Sequence, residues 1–279
     1  MIYRSNEGSS NQVYIIGITH RDTLTRTNSD ITAKVQTEVY QIGDWLVHHE
    51  GLQLLLPEGF FESKSSEPGI NKVTVEPESP CAGLPDVKEI EKRLADDRTF
   101  VNAEILLKED HRLKLRQVED EKAYDSARAG IVNLVSNRGF CDLSTVKSEL
   151  DYLQELRTVA MLQRIPEVVG EEFRQGNIGM PKAMFTIGLS HIKQIVQGLI
   201  EGKIRVAMPP VLLAAAQKDG NKNPLSDTEL NLCKENFGVT VILPRTLADN
   251  QKVLTLMGLD KIVTQARSQS PALVLSAIH

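Results

Sequence analysis

Three consecutive stretches decide the fold: Val13-Tyr14-Ile15-Ile16-Gly17-Ile18-Thr19-His20, the helical segment Ala33–His49, and Leu52-Gln53-Leu54-Leu55-Leu56-Pro57-Glu58-Gly59. Val13–Ile16 is a short apolar run set between polar residues and ended by Gly17, so it reads as a buried strand. Asp30 or Thr32 is placed to cap a helix from about Ala33, in which Val35, Val39, Ile42 and Leu46 recur at helical spacing. Gly51 stops that helix, and Leu52–Leu56 is a second apolar strand that closes on Pro57-Glu58-Gly59. Strand, helix and strand joined by short links predict two parallel strands with a right-handed crossover.

Working outward, the pattern resumes at Ala183–Ile187, an apolar run between Pro181 and Gly188. Ile192, Ile195, Val196, Leu199 and Ile200 then mark one face of a helix. Ile204–Met208 and Val239–Leu243 are further strand candidates, with a helix expected over Ser226–Phe237 between them and a last strand at Leu273–Ile278. Residues 63–85 are dominated by Ser, Pro, Glu and Gly and read as a loop, with Val73–Val75 at most a short edge strand. From Asp86 to Asn137 the chain is charge-dense with spaced apolar residues, which suits long, partly exposed helices broken near Asp96–Thr99. Another amphipathic helix is expected over Ser144–Ile165, bounded by Pro166. The expectation is one α/β domain over 1–279, a central, mostly parallel sheet flanked by helices, with 86–175 inserted as a helical elaboration.

Bulk properties exclude several classes. The 279 residues are 41% hydrophobic and 25% charged, close to globular averages, which argues against disorder or a fibrous repeat. Lys and Arg number 32 against 37 Asp and Glu, and this net charge of −5, without a basic block, speaks against a dedicated nucleic-acid binder. No run approaches the ~20 apolar residues of a membrane span. The polar start, Met1–Asn11, has no apolar core of a secretory signal, so a cytoplasmic location is expected. Cys81, Cys141 and Cys233 are odd in number and widely spaced, which is unlike a disulfide framework or a cysteine zinc site.

Three polar residues share one structural address. His20 follows the first strand in Gly17-Ile18-Thr19-His20, Glu58 follows the second, and His191 follows the later one in Gly188-Leu189-Ser190-His191. The carboxyl ends of parallel strands form the edge at which open α/β sheets bind ligands. If the three strands are neighbours, two imidazoles and a carboxylate converge there. A glycine near each strand end is expected to let the backbone turn sharply. A histidine at a helix N-terminus meets the positive end of the dipole, which favours the neutral ring that binds a metal or accepts a proton. Two His and one Glu leave coordination positions open, as catalytic metal sites do. On the Ser144–Ile165 helix, Arg157 interrupts the apolar stripe Val146, Leu150, Leu153, Met161. A guanidinium buried there needs a carboxylate, either Glu58 or one on a substrate. His48-His49 reads as a structural pair at a helix C-terminus and His111 as a solvated side chain. Glu62 and Asp22 are weaker ligand candidates. Walker, GxGxxG, GxSxG and HExxH motifs are absent from the sequence.

The run Phe185-Thr186-Ile187-Gly188-Leu189-Ser190-His191, continuing to Gly198-Leu199-Ile200, resembles the second GxxH motif of the TraB/TIKI family. Ile16-Gly17-Ile18-Thr19-His20 is similar to its first GxxH motif. Glu58 matches the position of the family's early glutamate, and Arg157 with Met161 resembles the helix motif that precedes the second histidine. The motif order spans about residues 13–200. The family belongs to a wider group with erythromycin esterases and ChaN-like haem-binding proteins. The resemblance implies a central, mostly parallel sheet with helical elaborations, and hydrolytic activity in part of the group, including metal-dependent peptide cleavage.

The resulting expectation is a hydrolase of peptides or related amides that uses a divalent metal (Mn, Co or Zn). His20 and His191 would be ligands, Glu58 a ligand or the group that activates water, and Arg157 a carboxylate clamp. Two other readings stay open: a metal-free hydrolase with His20 as base and Glu58 orienting water, and a non-enzymatic module that captures a peptide or haem. The expected partner is a peptide or small-molecule substrate, and the charged helices of 86–137 suit a homo-oligomer.

Overall fold

Two strands open the chain, Tyr3–Ser5 (β1) and Gln12–Ile18 (β2). The computed structural model describes residues 1–19, 30–62, 86–95, 102–136, 143–208 and 225–269. Every residue of β2 is buried, as in a strand covered on both faces. Helix Asp30–Glu50 (α1) follows and leads into Leu54–Pro57 (β3), also buried throughout. Then come Val87–Ala95 (α2), Ala103–His111 (α3), Lys114–Leu115 (β4), Glu121–Ser136 (α4) and Leu143–Arg174 (α5). Lys182–Gly188 (β5) runs directly into Leu189–Glu201 (α6). The remainder is Lys203–Ala207 (β6), Leu225–Glu229 (β7), Asn231–Lys234 (α7), Gly238–Ile242 (β8), Arg245–Ala248 (α8), Gln251–Met257 (α9) and Asp260–Gln269 (α10).

The main sheet has the order β1-β8-β2-β5-β3-β4 and is parallel throughout except for β1, which pairs antiparallel with β8 at one edge. It is an α/β fold with a mostly parallel sheet flanked by helices. β2 and β3 are parallel, and β5 lies between them, so the three strands carrying the candidate residues are contiguous. Ile18 pairs with Gly188 and Thr186 with Pro57 at the carboxyl edge. Among the described residues, the interval 86–175 holds four helices, and its short strand β4 extends the sheet beside β3.

Four local expectations are corrected. Residues 226–237 do not form a helix. Leu225–Glu229 is a strand paired antiparallel with β6 in a separate two-stranded ribbon, and only Asn231–Lys234 is helical. Cross-strand charge explains the ribbon: Asp227 stands opposite Arg205 and accepts from both Arg205 Nε and Lys203 Nζ at 2.8 Å. These hydrogen bonds, that from Arg205 first, hold the Asp227 carboxyl far below the ordinary range. Second, α5 does not stop at Pro166 but passes through it to Arg174. The proline removes one backbone donor, and the buried Ile165, Val168 and Val169 on either side keep the helix on the core. Third, Gly17 makes no turn. It lies within β2, where an added Cβ would stand 2.7 Å from Leu243 Cδ2 and 3.0 Å from Ile192 Cγ1, so its role is close packing. The turn glycine is Gly59, at φ +74°. Fourth, His111 is not solvated but largely covered, its side chain 14% exposed. The loop read at 63–85, the break at Asp96–Thr99 and the strand at Leu273–Ile278 lie outside the described residues.

Candidate functional site

Glu58 is carried to the carboxyl edge by the turn after β3, where its N–H donates to Thr186 O at 2.9 Å and extends the pairing with β5. His191 sits in the first turn of α6, three residues past the end of β5. The two meet, His191 Nε2 lying 3.3 Å from Glu58 Oε1. Arg157 reaches them from α5. Its Nη2 donates to Glu58 Oε1 at 2.9 Å and its Nε to Glu119 Oε1 at 2.6 Å. The second Glu58 oxygen accepts the Gly188 N–H at 2.6 Å. The structure thus brings together Glu58, His191 and Arg157. His20 and Asp22 lie outside the described residues, and Thr19, just before His20, is at the same edge beside β5. Glu62 instead pairs with Arg116 at 2.9 Å.

The hydrogen bonds around His191 assign its tautomer. Thr158 Oγ1 donates to Gln154 O at 2.8 Å and therefore receives, rather than gives, at its 2.6 Å contact with His191 Nδ1. Nδ1 therefore carries a proton, and Nε2 faces Glu58 and the Gln154 amide nitrogen, the latter 3.2 Å away. That amide nitrogen also donates to Ser190 Oγ at 2.5 Å. An imidazole fixed through Nδ1, with Nε2 presented to a carboxylate, has the form of a metal ligand or a general base.

Glu119 is a participant that sequence reasoning missed. It is 1% exposed and lies in the connection between β4 and α4, where no periodicity marks burial. Its Oε2 accepts the Gly59 N–H at 2.9 Å, so Glu119 ties Arg157 to the turn that carries Glu58. Burial pushes the Glu119 carboxyl above its usual range, the Arg157 charge pulls it down, and the neighbouring Glu58 raises it again. Tyr124 of α4 covers Arg157, with the guanidinium carbon 5.2 Å from the ring centroid, and packs edge-on against Phe61. Gln154 and Thr158 were also missed, although they flank Arg157 on the face of α5 that the interrupted stripe pointed to.

A second group stands elsewhere on the fold. Asp44, His48 and His111 place one ligand atom each within 4.8 Å of one another, and among the described residues they are the one such group of three. The chain therefore contains side chains that can hold a metal ion at a place other than the predicted one.

Comparison with known proteins yields no matching family, no similar curated protein and no similar solved structure.

Proposed function

We propose that the protein is a hydrolase of peptide or related amide bonds whose working groups are His191 and Glu58 at the carboxyl ends of β5 and β3. The observation that carries this reading is the 3.3 Å approach of His191 Nε2 to Glu58 Oε1, with His191 Nδ1 held by Thr158, Glu58 Oε2 held by the Gly188 N–H, and Arg157 bonded to the same Oε1. The separation also fits adjacent ligands of a tetrahedral divalent ion, which for bond lengths near 2.0–2.1 Å stand about 3.3–3.4 Å apart. In the metal-dependent form His191 Nε2 and Glu58 would hold Mn, Co or Zn together with His20, following the GxxH resemblance. Such an ion, when bound, lowers the pKa of its water and polarises a carbonyl. The residues of the chain do the rest. Thr158 holds the imidazole in the Nδ1–H tautomer, Gly188 and Arg157 orient the carboxylate, and Tyr124 shields the guanidinium from water.

One observation favours a metal-free version. Both Glu58 oxygens already accept hydrogen bonds, Oε1 from Arg157 and Oε2 from the Gly188 N–H. There His191 would take a proton from water oriented by Glu58. Stripping the protein with a chelator and restoring Mn, Co or Zn, with hydrolysis of a peptide and ester library as readout, separates the two. Loss and recovery of activity supports the metal form. Chelator-resistant activity that vanishes in His191→Ala supports the metal-free form. Activity indifferent to both Glu58→Gln and His191→Ala overturns the proposal.

A further inference from the structure

Asp44 and His48 are four residues apart on α1 and so occupy one face of that helix, while His111 is the last residue of α3. Gly43 permits the two helices to approach, since a Cβ there would lie 2.3 Å from Leu107 Cδ1. Tyr40, one turn before Asp44, donates to Asp110 Oδ2 at 2.7 Å and fixes the end of α3 against α1. The outcome is that His111 Nε2 and His48 Nε2 stand 3.0 and 3.5 Å from the same atom, Asp44 Oδ1.

Asp44 is 9% exposed, and among the described residues neither its Oδ1 nor His111 Nε2 has a hydrogen-bond partner. The 3.0 Å contact lacks the alignment of a hydrogen bond. Two buried polar atoms that face each other unpaired call for a shared partner. The spacing fits one, because the observed 3.0 and 3.5 Å bracket the ~3.3–3.4 Å between adjacent ligands of a tetrahedral ion. Two imidazoles with one carboxylate suit zinc-like transition ions, whereas magnesium and calcium prefer all-oxygen sets.

We infer that Asp44, His48 and His111 form a binding site for a zinc-type divalent ion that ties α1 to the C-terminal end of α3. The site precedes β3 and β4 in the chain and so lies at the amino edge of the sheet, away from His191 and Glu58 at the carboxyl edge. The His48 side chain, 55% exposed, opens it to solvent, and three protein ligands leave a fourth position for water.

The test is equilibrium dialysis of the full chain against Zn2+ with elemental analysis, and titration with Co2+ followed by its visible absorption. His191→Ala serves as a background in which the carboxyl-edge site is disabled. One Zn2+ per chain in that background is expected, with a tetrahedral Co2+ spectrum. Adding His48→Ala, at an exposed position that leaves the core intact, should weaken Zn2+ binding at least tenfold. His111→Gln should do the same. No ion bound in the His191→Ala background overturns the inference. So does an affinity that stays within about twofold after both His48→Ala and His111→Gln. Binding lost in His191→Ala but kept in His48→Ala assigns the ion to the carboxyl edge instead, which overturns this site while supporting the proposed function.

Discussion

Replacing Arg157 by Met removes the guanidinium held between Glu58 and Glu119 and leaves two carboxylates in a site where the side chains are 8% and 1% exposed. Met preserves most of the aliphatic stem, so the packing loss is small and electrostatics dominate. Removing one partner of a buried ion pair costs about 3–5 kcal/mol, because the remaining charge stays desolvated. The lost contact with Tyr124 adds about 0.5–1 kcal/mol. For a chain of 279 residues, about 2 °C of melting temperature accompanies each kcal/mol, so a fall of about 7–12 °C is expected. Glu119→Gln is the control. It keeps an acceptor for the Gly59 N–H and leaves Arg157 paired with Glu58, and it should cost only about 1 kcal/mol. In the double variant one unpaired carboxylate is gone, so the two losses should be non-additive, with a coupling of about 0.5–3 kcal/mol. Thermal melting and urea unfolding of the four proteins measure all of this. An Arg157→Met variant within about 1 kcal/mol of wild type would refute the reasoning, since that is the range of an exposed pair.

The raised Glu119 carboxyl sets a pH dependence: its stabilising contribution is present below the ordinary carboxylate range and is lost as pH rises through its folded value, so wild type should lose ground against Glu119→Gln as pH increases. Glu50 gives the opposite sign. Burial is the largest single influence and works against its ionisation, but the bond and charge of Lys182, at 2.9 Å, together with Tyr14 and Arg4 outweigh it and lower the carboxyl, so this stability is lost as pH falls, and Lys182→Met should flatten that limb of a pH-melting profile. Thr158→Val removes the acceptor of the His191 Nδ1–H and should lower hydrolysis about 10–100-fold with Thr158→Ser close to wild type, as expected for a group that orients a working imidazole. Gly17→Ala pushes a methyl against Leu243 and Ile192 and should destabilise by about 1–3 kcal/mol in urea unfolding.

The strands β2, β3 and β5 were legible because continuous apolar runs bounded by Gly and Pro leave little choice. Arg157 was legible because it broke an apolar stripe. What the sequence hid was held by distant contacts. Glu119 sits in a charged stretch where burial comes only from α5 and the β3 turn, and Thr158 gains its role only from His191 across two elements. Asp44 and His48 carried a local signal, the i,i+4 spacing on one helix face, whereas His111 has no sequence feature that joins it to them. Residues 226–237 misled because their polar pattern is satisfied by pairing with β6, which local periodicity does not register.

The measurement that bears most directly on the account is turnover of a peptide and ester library by wild type, Glu58→Gln and His191→Ala, with Mn, Co and Zn supplied and folding checked by circular dichroism. The account predicts hydrolysis by wild type and at least a 100-fold loss in both folded variants. Equal rates in all three proteins, or no turnover by wild type with any of the ions, would contradict it.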